Sequence, residues 1–101
     1  MRVTHALVQL AAALMAAPDD RHWGYQLSRA SGVRSGAMYP RLTQMLDEGW
    51  LADGWESVEE AAGRPPRRYY TLTDRGRAEL GALLDRATSD ERFRGMNLGW
   101  A

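Results

Sequence analysis

The sequence of 101 residues contains no cysteine, no lysine, a single phenylalanine and no long apolar run. Without cysteine the chain has neither disulfide bridges nor thiolate metal ligands, and no segment approaches the roughly 18 apolar residues of a membrane span. The two histidines, His5 and His22, are not spaced as metal ligands. No glycine-rich phosphate loop follows a predicted strand. We therefore expect a cytoplasmic protein that is not an enzyme and has no cofactor.

All thirteen basic residues are arginine, and thirteen acids balance them to a net charge of zero. The charges are nevertheless segregated along the chain. Residues 21–41 contain four arginines and no acid, residues 47–60 contain six acids and no base, and three arginines follow within residues 64–68. A neutral protein with this distribution can present a positive face to nucleic acid. A solvated mosaic of charges is the alternative interpretation.

The segment 35–49 is typical of a helix that enters the major groove of DNA. Its apolar residues recur at helical spacing and predict one buried stripe, while small, hydrogen-bonding and basic residues lie elsewhere. We expect Ser35 to cap this helix and Gly49 to end it in the left-handed conformation. Since Pro40 falls early, we expect residues 36–37 to form a looser lead-in turn rather than a bent helix. An ordinary amphipathic core helix is the simpler alternative.

Three further helices are predicted, at about residues 4–16, 24–30 and 74–87. Alanine and leucine favour the first, and leucines at helical spacing mark the last, which Thr73 is placed to cap. A turn at Gly32 joins the second helix to the helix described above. Helix, short glycine-containing turn and helix make a helix-turn-helix.

A change of period after residue 49 predicts two antiparallel strands. Residues 50–56 alternate roughly, with Leu51 and Trp55 on one side, and residues 67–72 are rich in β-formers. The loop between them, residues 57–66, is too long for a tight turn and should project. It is tipped by residues 63–68, which contain Arg64, Arg67 and Arg68, and this tip is a candidate for contact with the DNA backbone or minor groove. A mobile, solvated loop is the alternative, and acids in its first limb would either repel phosphates or pair with the arginines.

The fold class is therefore mainly α, within α+β: a winged helix-turn-helix with a two-stranded wing and a C-terminal helix. We expect one domain over residues 1–88, including a dimerisation helix at about residues 74–88. A loosely structured tail would follow over residues 89–101.

Four strings in this order resemble the PadR family of bacterial transcriptional regulators. They are GYQL at residues 24–27, GAMYPRL at 36–42, DEGWL at 47–51 and GRPPRRYYTLTDRG at 63–76. The resemblance covers about residues 4–86 and is closest to the short, single-domain branch of the family. It departs from the usual pattern at Ala37, where a threonine is more common, and in the double proline of the loop.

The resemblance implies a homodimeric repressor that binds a palindromic operator in double-stranded DNA through its third helix and its wing. The DNA-binding residues predicted from the resemblance and from side-chain chemistry are Tyr25, Arg34, Ser35, Gly36, Ala37, Tyr39, Pro40, Arg41, Gln44, Arg64, Arg67 and Arg68. The predicted dimerisation residues are Leu7, Leu10, Leu80, Leu83, Leu84 and Ala87. Some short members of the family bind an aromatic molecule between subunits, so a small aromatic effector is a further expectation.

Zero net charge, an acidic wing limb and apolar residues near the C-terminus leave a second hypothesis open. In it the chain is a winged-helix module that binds another protein and modulates another regulator without binding DNA.

Overall fold

A computed structural model describes residues 1–96 and residue 98, and Trp100, at the end of the predicted tail, lies outside them. The elements in chain order are α1 (His5–Met15), β1 (His22–Trp23), α2 (Gly24–Ser31), α3 (Ser35–Asp47), β2 (Leu51–Trp55), α4 (Val58–Ala61), β3 (Arg68–Leu72), α5 (Asp74–Thr88) and a 3-10 helix (Glu91–Phe93). This order confirms the predicted mainly helical α+β winged helix-turn-helix. Within the described part of the chain, no helix is long and apolar enough to cross a membrane.

Local signals place the ends of several helices where the sequence predicts them. The hydroxyl of Thr4 accepts a hydrogen bond from the Leu7 N–H at 3.2 Å, and that of Thr73 accepts one from the Gly76 N–H at 2.9 Å. Each hydroxyl satisfies a backbone donor that has no partner inside its helix. Gly32 ends α2 with a φ of 73°, a conformation that glycine adopts without a Cβ clash.

The start of α3 differs from the prediction in two respects. Ser35 is the first helical residue rather than the cap; Arg34 occupies the cap position and makes no side-chain cap bond. Pro40 lies inside a continuous helix, so the expected lead-in turn is wrong. Pro40 removes the bond to the carbonyl of Gly36, and both residues are exposed, so water can solvate that carbonyl.

The end of α3 is tied to the elements that follow it. Gly49 has a φ of 74°, and its N–H donates to the Leu46 carbonyl at 3.0 Å. The N–H of Trp50 donates to the Met45 carbonyl at 2.8 Å, which completes a Schellman motif. The Thr73 hydroxyl donates to the Gly49 carbonyl at 2.6 Å. This junction therefore fixes α3 against the start of both β2 and α5.

The sheet has three antiparallel strands in the order β1-β3-β2, one strand more than predicted. β2 and β3 form the expected hairpin, in register from Leu51 opposite Leu72 to Trp55 opposite Arg68. β1 pairs with the outer side of β3 over only two residues, too few for an alternation to be visible in the sequence.

The polar loop between β2 and β3 also contains the short helix α4, which the sequence did not predict. Ser57 and Glu60 form a capping box at its start: the Ser57 hydroxyl accepts from the Glu60 N–H, and the Glu60 carboxylate accepts from the Ser57 N–H, both at 3.0 Å. α4 gives the loop of the wing a defined shape.

The core lies where α1 packs against α2, α3 and α5. Its largest fully buried side chains are Leu7, Val8, Leu10, Leu14, Met38, Leu42, Met45, Leu80 and Leu84. Of the two adjacent strand tyrosines, Tyr70 is in this core and Tyr69 is half-buried. Leu51 is buried but Trp55 is 65% exposed, because the far end of the hairpin extends beyond the helices.

The predicted tail begins with a packed segment. Phe93 is 4% exposed, and its ring meets the ring of His5 edge-on with centroids 4.9 Å apart. Met96 and Leu98 also pack against the core. The expectation of a loose tail from residue 89 is therefore wrong for these residues, and residues 97 and 99–101 lie outside the described ones.

Candidate nucleic-acid interface

The first half of α3 offers an almost continuous exposed surface. Of the predicted DNA-binding residues, all are exposed except Arg41, which is partly buried. Met38, in the middle of this half, is fully buried and anchors the helix to the core. A helix held from behind in this way can place its N-terminal residues in a DNA groove.

A cleft of about 540 Å³ separates the wing from α2 and α3. Its lining residues are Trp23, Gly24, Tyr25, Gln26, Tyr39, Arg67, Arg68 and Tyr70. The fold thus brings one predicted residue of α3, Tyr39, to the same cleft as two predicted residues of the wing. These residues are 28 positions or more apart in the sequence.

Tyr39 occupies this position because α2 begins with a glycine. A Cβ atom on Gly24 would lie 2.2 Å from the Tyr39 hydroxyl oxygen, a distance that two heavy atoms cannot share. Tyr39 is 45% exposed, so part of its side chain is accessible to a binding partner. The Tyr39 hydroxyl therefore lies next to Gly24, which lines the same cleft.

Arg41 and Gln44 lie in a different hollow, next to the N-terminus of the chain. The Arg41 guanidinium donates to the carbonyl of Ala37 at 2.7 Å and to the hydroxyl of Thr4 at 3.5 Å. Arg41 is therefore folded back along its own helix rather than extended toward the wing.

The arginines of the helix-turn-helix carry uncompensated charge. Among the described residues, Arg29, Arg34 and Arg41 form no ion pair with a carboxylate. Arg29 instead donates to the hydroxyl of Tyr25 at 3.1 Å. Because the wing arginines are paired, as described next, the positive potential of the predicted interface is concentrated on α2 and α3.

Each of the three wing arginines is paired with an acid. The carboxylate of Glu56, which is only 7% exposed, accepts hydrogen bonds from both terminal nitrogens of Arg64 at 2.5 and 2.8 Å. It also accepts one from the Nε–H of Arg67 at 3.2 Å. Arg68 donates to Asp53 at 2.5 and 2.9 Å. The hydrogen bonds from Arg64, followed by those from Arg67, lower the pKa of Glu56 to about 2 despite its burial. Of the two open interpretations of the wing acids, pairing with the arginines is the one observed.

A stack of cationic and aromatic side chains joins the wing to the body of the protein. The Arg21 guanidinium lies 4.2 Å from the centroid of the Tyr69 ring, that ring meets Trp23 edge-on at 5.5 Å, and Arg67 lies 5.0 Å from the Trp23 ring. Arg21 also pairs with Glu60 of α4 at 2.6 Å. The roles of Arg21 and Trp23 could not be predicted from the sequence, because their partners in these contacts are 39 or more positions away.

All six predicted dimerisation residues are buried within the single chain. Their exposed fractions are at most 4%, so they already have packing partners in the protomer. These residues are Leu7, Leu10, Leu80, Leu83, Leu84 and Ala87. Their contribution to a dimer stays a prediction.

The order of elements, the exposed α3 and the wing beside it define the chain as a winged helix-turn-helix protein. The sequence profile of the transcriptional regulator PadR-like family matches residues 19–82. The chain therefore belongs to this family, which confirms the resemblance. A search of curated proteins finds no match.

Three solved structures share the fold. A PadR family transcription regulator from Clostridium difficile superposes with a TM-score of 0.65 at 18% identity, over 81% of this chain and 88% of that one. A PadR-like transcriptional regulator from Bacillus cereus gives 0.62 at 22% identity, with 82% of each chain covered. Pex from Synechococcus gives 0.58 at 24% identity, over 87% of this chain and 85% of that one.

Proposed function

We propose that this regulator represses transcription in the cytoplasm as a homodimer that binds a palindromic operator. The observation that carries the proposal is the exposed first half of α3, with arginines free of acid partners on one side and the wing cleft on the other. A dimer two-fold axis would repeat this surface, and a symmetric pair of surfaces recognises a palindrome.

Within each protomer, Arg34, Ser35 and Ala37 precede or begin α3 and would face the base edges. A guanidinium without an acid partner, such as that of Arg34, can donate two hydrogen bonds to the O6 and N7 atoms of one guanine. Tyr39 at the cleft mouth would donate to a phosphate and so fix the position of the helix on the duplex. Gly36 and Pro40 add little bulk to the exposed face of α3, which allows the backbone of the helix to approach the DNA closely.

Selection of bound sequences from a random pool of DNA duplexes tests the proposal. We expect a palindromic site whose half-sites are about 10 base pairs apart. Arg34→Ala should abolish enrichment of one half-site position. Arg94→Ala removes an exposed arginine that lies outside α3, the wing and the predicted dimerisation helix, and it should leave the site unchanged. Failure to enrich any sequence would contradict sequence-specific binding, and an asymmetric site would contradict the homodimer.

The strength of the dimer and the small aromatic effector implied by the resemblance also stay predictions. Sedimentation across a range of protein concentrations tests the first, since a dimer dissociates on dilution by mass action. We expect the binding curve for DNA to be steeper than for a single site wherever the free protein is monomeric.

A second candidate function rests on the wing. Its arginines are paired with acids, while Trp55 and Val58 are 65% and 76% exposed. Exposed tryptophan is typical of protein interfaces, so the wing would then bind a protein partner. Retention of a cellular partner by the wild type, its loss on Trp55→Ala and absence of duplex binding at low salt would favour this function over the first.

A further inference from the structure

The wing contains one buried carboxylate with an unusual number of partners. The two oxygens of Glu56 accept four hydrogen bonds: two from the terminal nitrogens of Arg64, and one each from the backbone N–H and the Nε–H of Arg67. The backbone N–H of Glu56 in turn donates to the carbonyl of Arg67 at 2.9 Å. Glu56 thus lies at the point where both limbs of the wing loop meet.

The two arginines at this point are held in different ways. Arg64 uses both terminal nitrogens on the two oxygens of Glu56, a bidentate pair at 2.5 and 2.8 Å. Arg67 is fixed through its backbone N–H, its Nε–H and the face of Trp23. Within the described structure, the terminal nitrogens of Arg67 make no hydrogen bond, and 59% of its side chain is exposed.

The directions of these side chains separate their roles. Arg67 lines the cleft that Tyr39 also lines, and its guanidinium lies over the ring of Trp23, another lining residue. The Arg67 side chain is therefore on the side of the wing that faces α3. Arg64 does not line that cleft. A guanidinium held at its inner edge is preorganised, since little side-chain freedom is lost when its outer edge binds a phosphate.

We propose that Glu56 is the positioning residue of the wing: it holds Arg64 as an internal brace and directs the outer edge of Arg67 toward a DNA phosphate. This inference rests on the proposed DNA binding. It removes Arg64 from the wing residues predicted to contact DNA and keeps Arg67 among them.

The salt dependence of DNA affinity distinguishes a brace from a phosphate contact. Arg67→Ala should lower the slope of log K against log salt by about one for each protomer, because one phosphate contact is lost. Arg64→Ala removes the same charge from the same loop. Arg64→Ala should weaken binding but should change the slope by less than about half of the change expected for Arg67→Ala. A lower slope in Arg64→Ala together with an unchanged slope in Arg67→Ala would overturn the proposal.

Lysine variants supply a rescue test. Lysine keeps a phosphate contact as a point charge but cannot bind both oxygens of a carboxylate in the arginine geometry. We therefore expect Arg67→Lys to retain the wild-type slope and most of the affinity. Arg64→Lys should lose affinity as Arg64→Ala does, and full rescue by Arg64→Lys would contradict the bracing role.

Glu56→Gln, matched with Glu59→Gln, tests the carboxylate itself. Both variants remove one negative charge from the wing. Unlike Glu56, Glu59 is exposed, and its side chain makes no hydrogen bond within the described part of the chain. Loss of charge alone strengthens binding to any DNA. We expect Glu59→Gln to keep the ratio of specific to non-specific affinity, and Glu56→Gln to lower it about tenfold. Equal ratios in the two variants would overturn the proposal.

A measurement without DNA separates failure of this inference from failure of the proposed function. Amide hydrogen exchange should show loss of protection at Glu56 and Arg67 in Glu56→Gln and in Arg64→Ala, with α1 and α5 unchanged. The same residues should stay protected in Glu59→Gln and in Arg67→Ala. Unchanged exchange in Glu56→Gln would reject the bracing role even if the protein binds DNA. Altered exchange without DNA binding would reject the proposed function and the phosphate contact of Arg67, while the bracing of Arg64 would stand.

Discussion

Single residues decide how the side chains of the interface are directed. Gly24 is an example, because its missing Cβ leaves room for the hydroxyl of Tyr39. Glu56 is another, because a buried carboxylate must be hydrogen-bonded to remain charged, and its partners are the two arginines of the wing loop.

We predict that Gly24→Ala weakens DNA binding without unfolding the protein. The added Cβ would displace the tip of Tyr39, a flexible and 45% exposed side chain, so the free energy of unfolding should change by less than about 1 kcal/mol. Affinity should fall about as much as in Tyr39→Ala. In the double variant the two losses should not add, since both remove the same contact; full additivity by fluorescence anisotropy would reject this link.

The pKa of the Glu56 carboxyl should lie far below the usual pKa of a glutamate side chain. The hydrogen bonds from Arg64 lower its pKa from 4.5 to about 2, so its contribution to the free energy of unfolding is fully present above pH 4.5 and is lost as the pH falls toward 2. Carboxyl carbon chemical shifts should give a midpoint at about 2 in the wild type. The midpoint should rise in Arg64→Ala, and a wild-type midpoint near 4.5 would contradict the pairing.

Elements are held together here by close approaches of backbone. The first turn of α5 lies directly against Trp50, the residue before β2, where a Cβ on Gly76 would be 1.9 Å from the Trp50 carbonyl oxygen. Backbone cannot move aside as a flexible side chain can. Glycine at this position therefore sets the distance between α5 and the wing.

We predict opposite effects for two glycine substitutions in α5. Gly76→Ala should lower the free energy of unfolding by about 3 kcal/mol, at the upper end of overpacking costs, because backbone must shift. In Gly81→Ala the Cβ would lie 3.8 Å from Met15 Cε, an ordinary contact, and helix propensity should stabilise the protein by about 0.5–1 kcal/mol. Urea midpoints measure both, and a stable Gly76→Ala variant would show that α5 is not docked as described.

At the scale of the whole molecule, the charge pattern divides the protein into two parts. Ion pairs hold the three wing arginines and also Arg21, which meets Glu60 of α4. The arginines of α2 and α3 form no such pair among the described residues. A protein of zero net charge thereby has a local positive surface, without the strong overall attraction to any polyanion that a high net charge would give.

The C-terminal segment contributes to the stability of the whole fold. Phe93, 4% exposed and packed on His5, should cost about 3 kcal/mol when changed to alanine, the lower end for a buried phenylalanine. The neighbouring Arg94 forms only an exposed pair with Glu91, so Arg94→Ala should change stability by less than about 0.5 kcal/mol. Thermal unfolding of the two variants tests this, and equal melting temperatures would place Phe93 outside the core.

The sequence by itself determined α1, α2, α3 and α5, the turn at Gly32, the end of α3 at Gly49 and the wing hairpin. These features depend on glycine conformation, capping hydroxyls and the spacing of apolar residues, all of which act within about one or two turns of the chain. The family resemblance depends on the same local strings. The start of the regular helix near Pro40 was predicted wrongly. The free-energy cost of a proline inside a helix depends on whether solvent reaches the carbonyl that has lost its hydrogen bond, and the sequence does not show this.

Only the tertiary structure decided which arginines are paired and which are free. Arg21 meets Glu60 across 39 positions, and the stack of Arg21, Tyr69 and Trp23 exists because β1 pairs with the outer side of β3. Such partners depend on strand register and on how elements pack, and neither composition nor spacing encodes them locally. The surface that the proposed function uses is therefore a property of the folded chain.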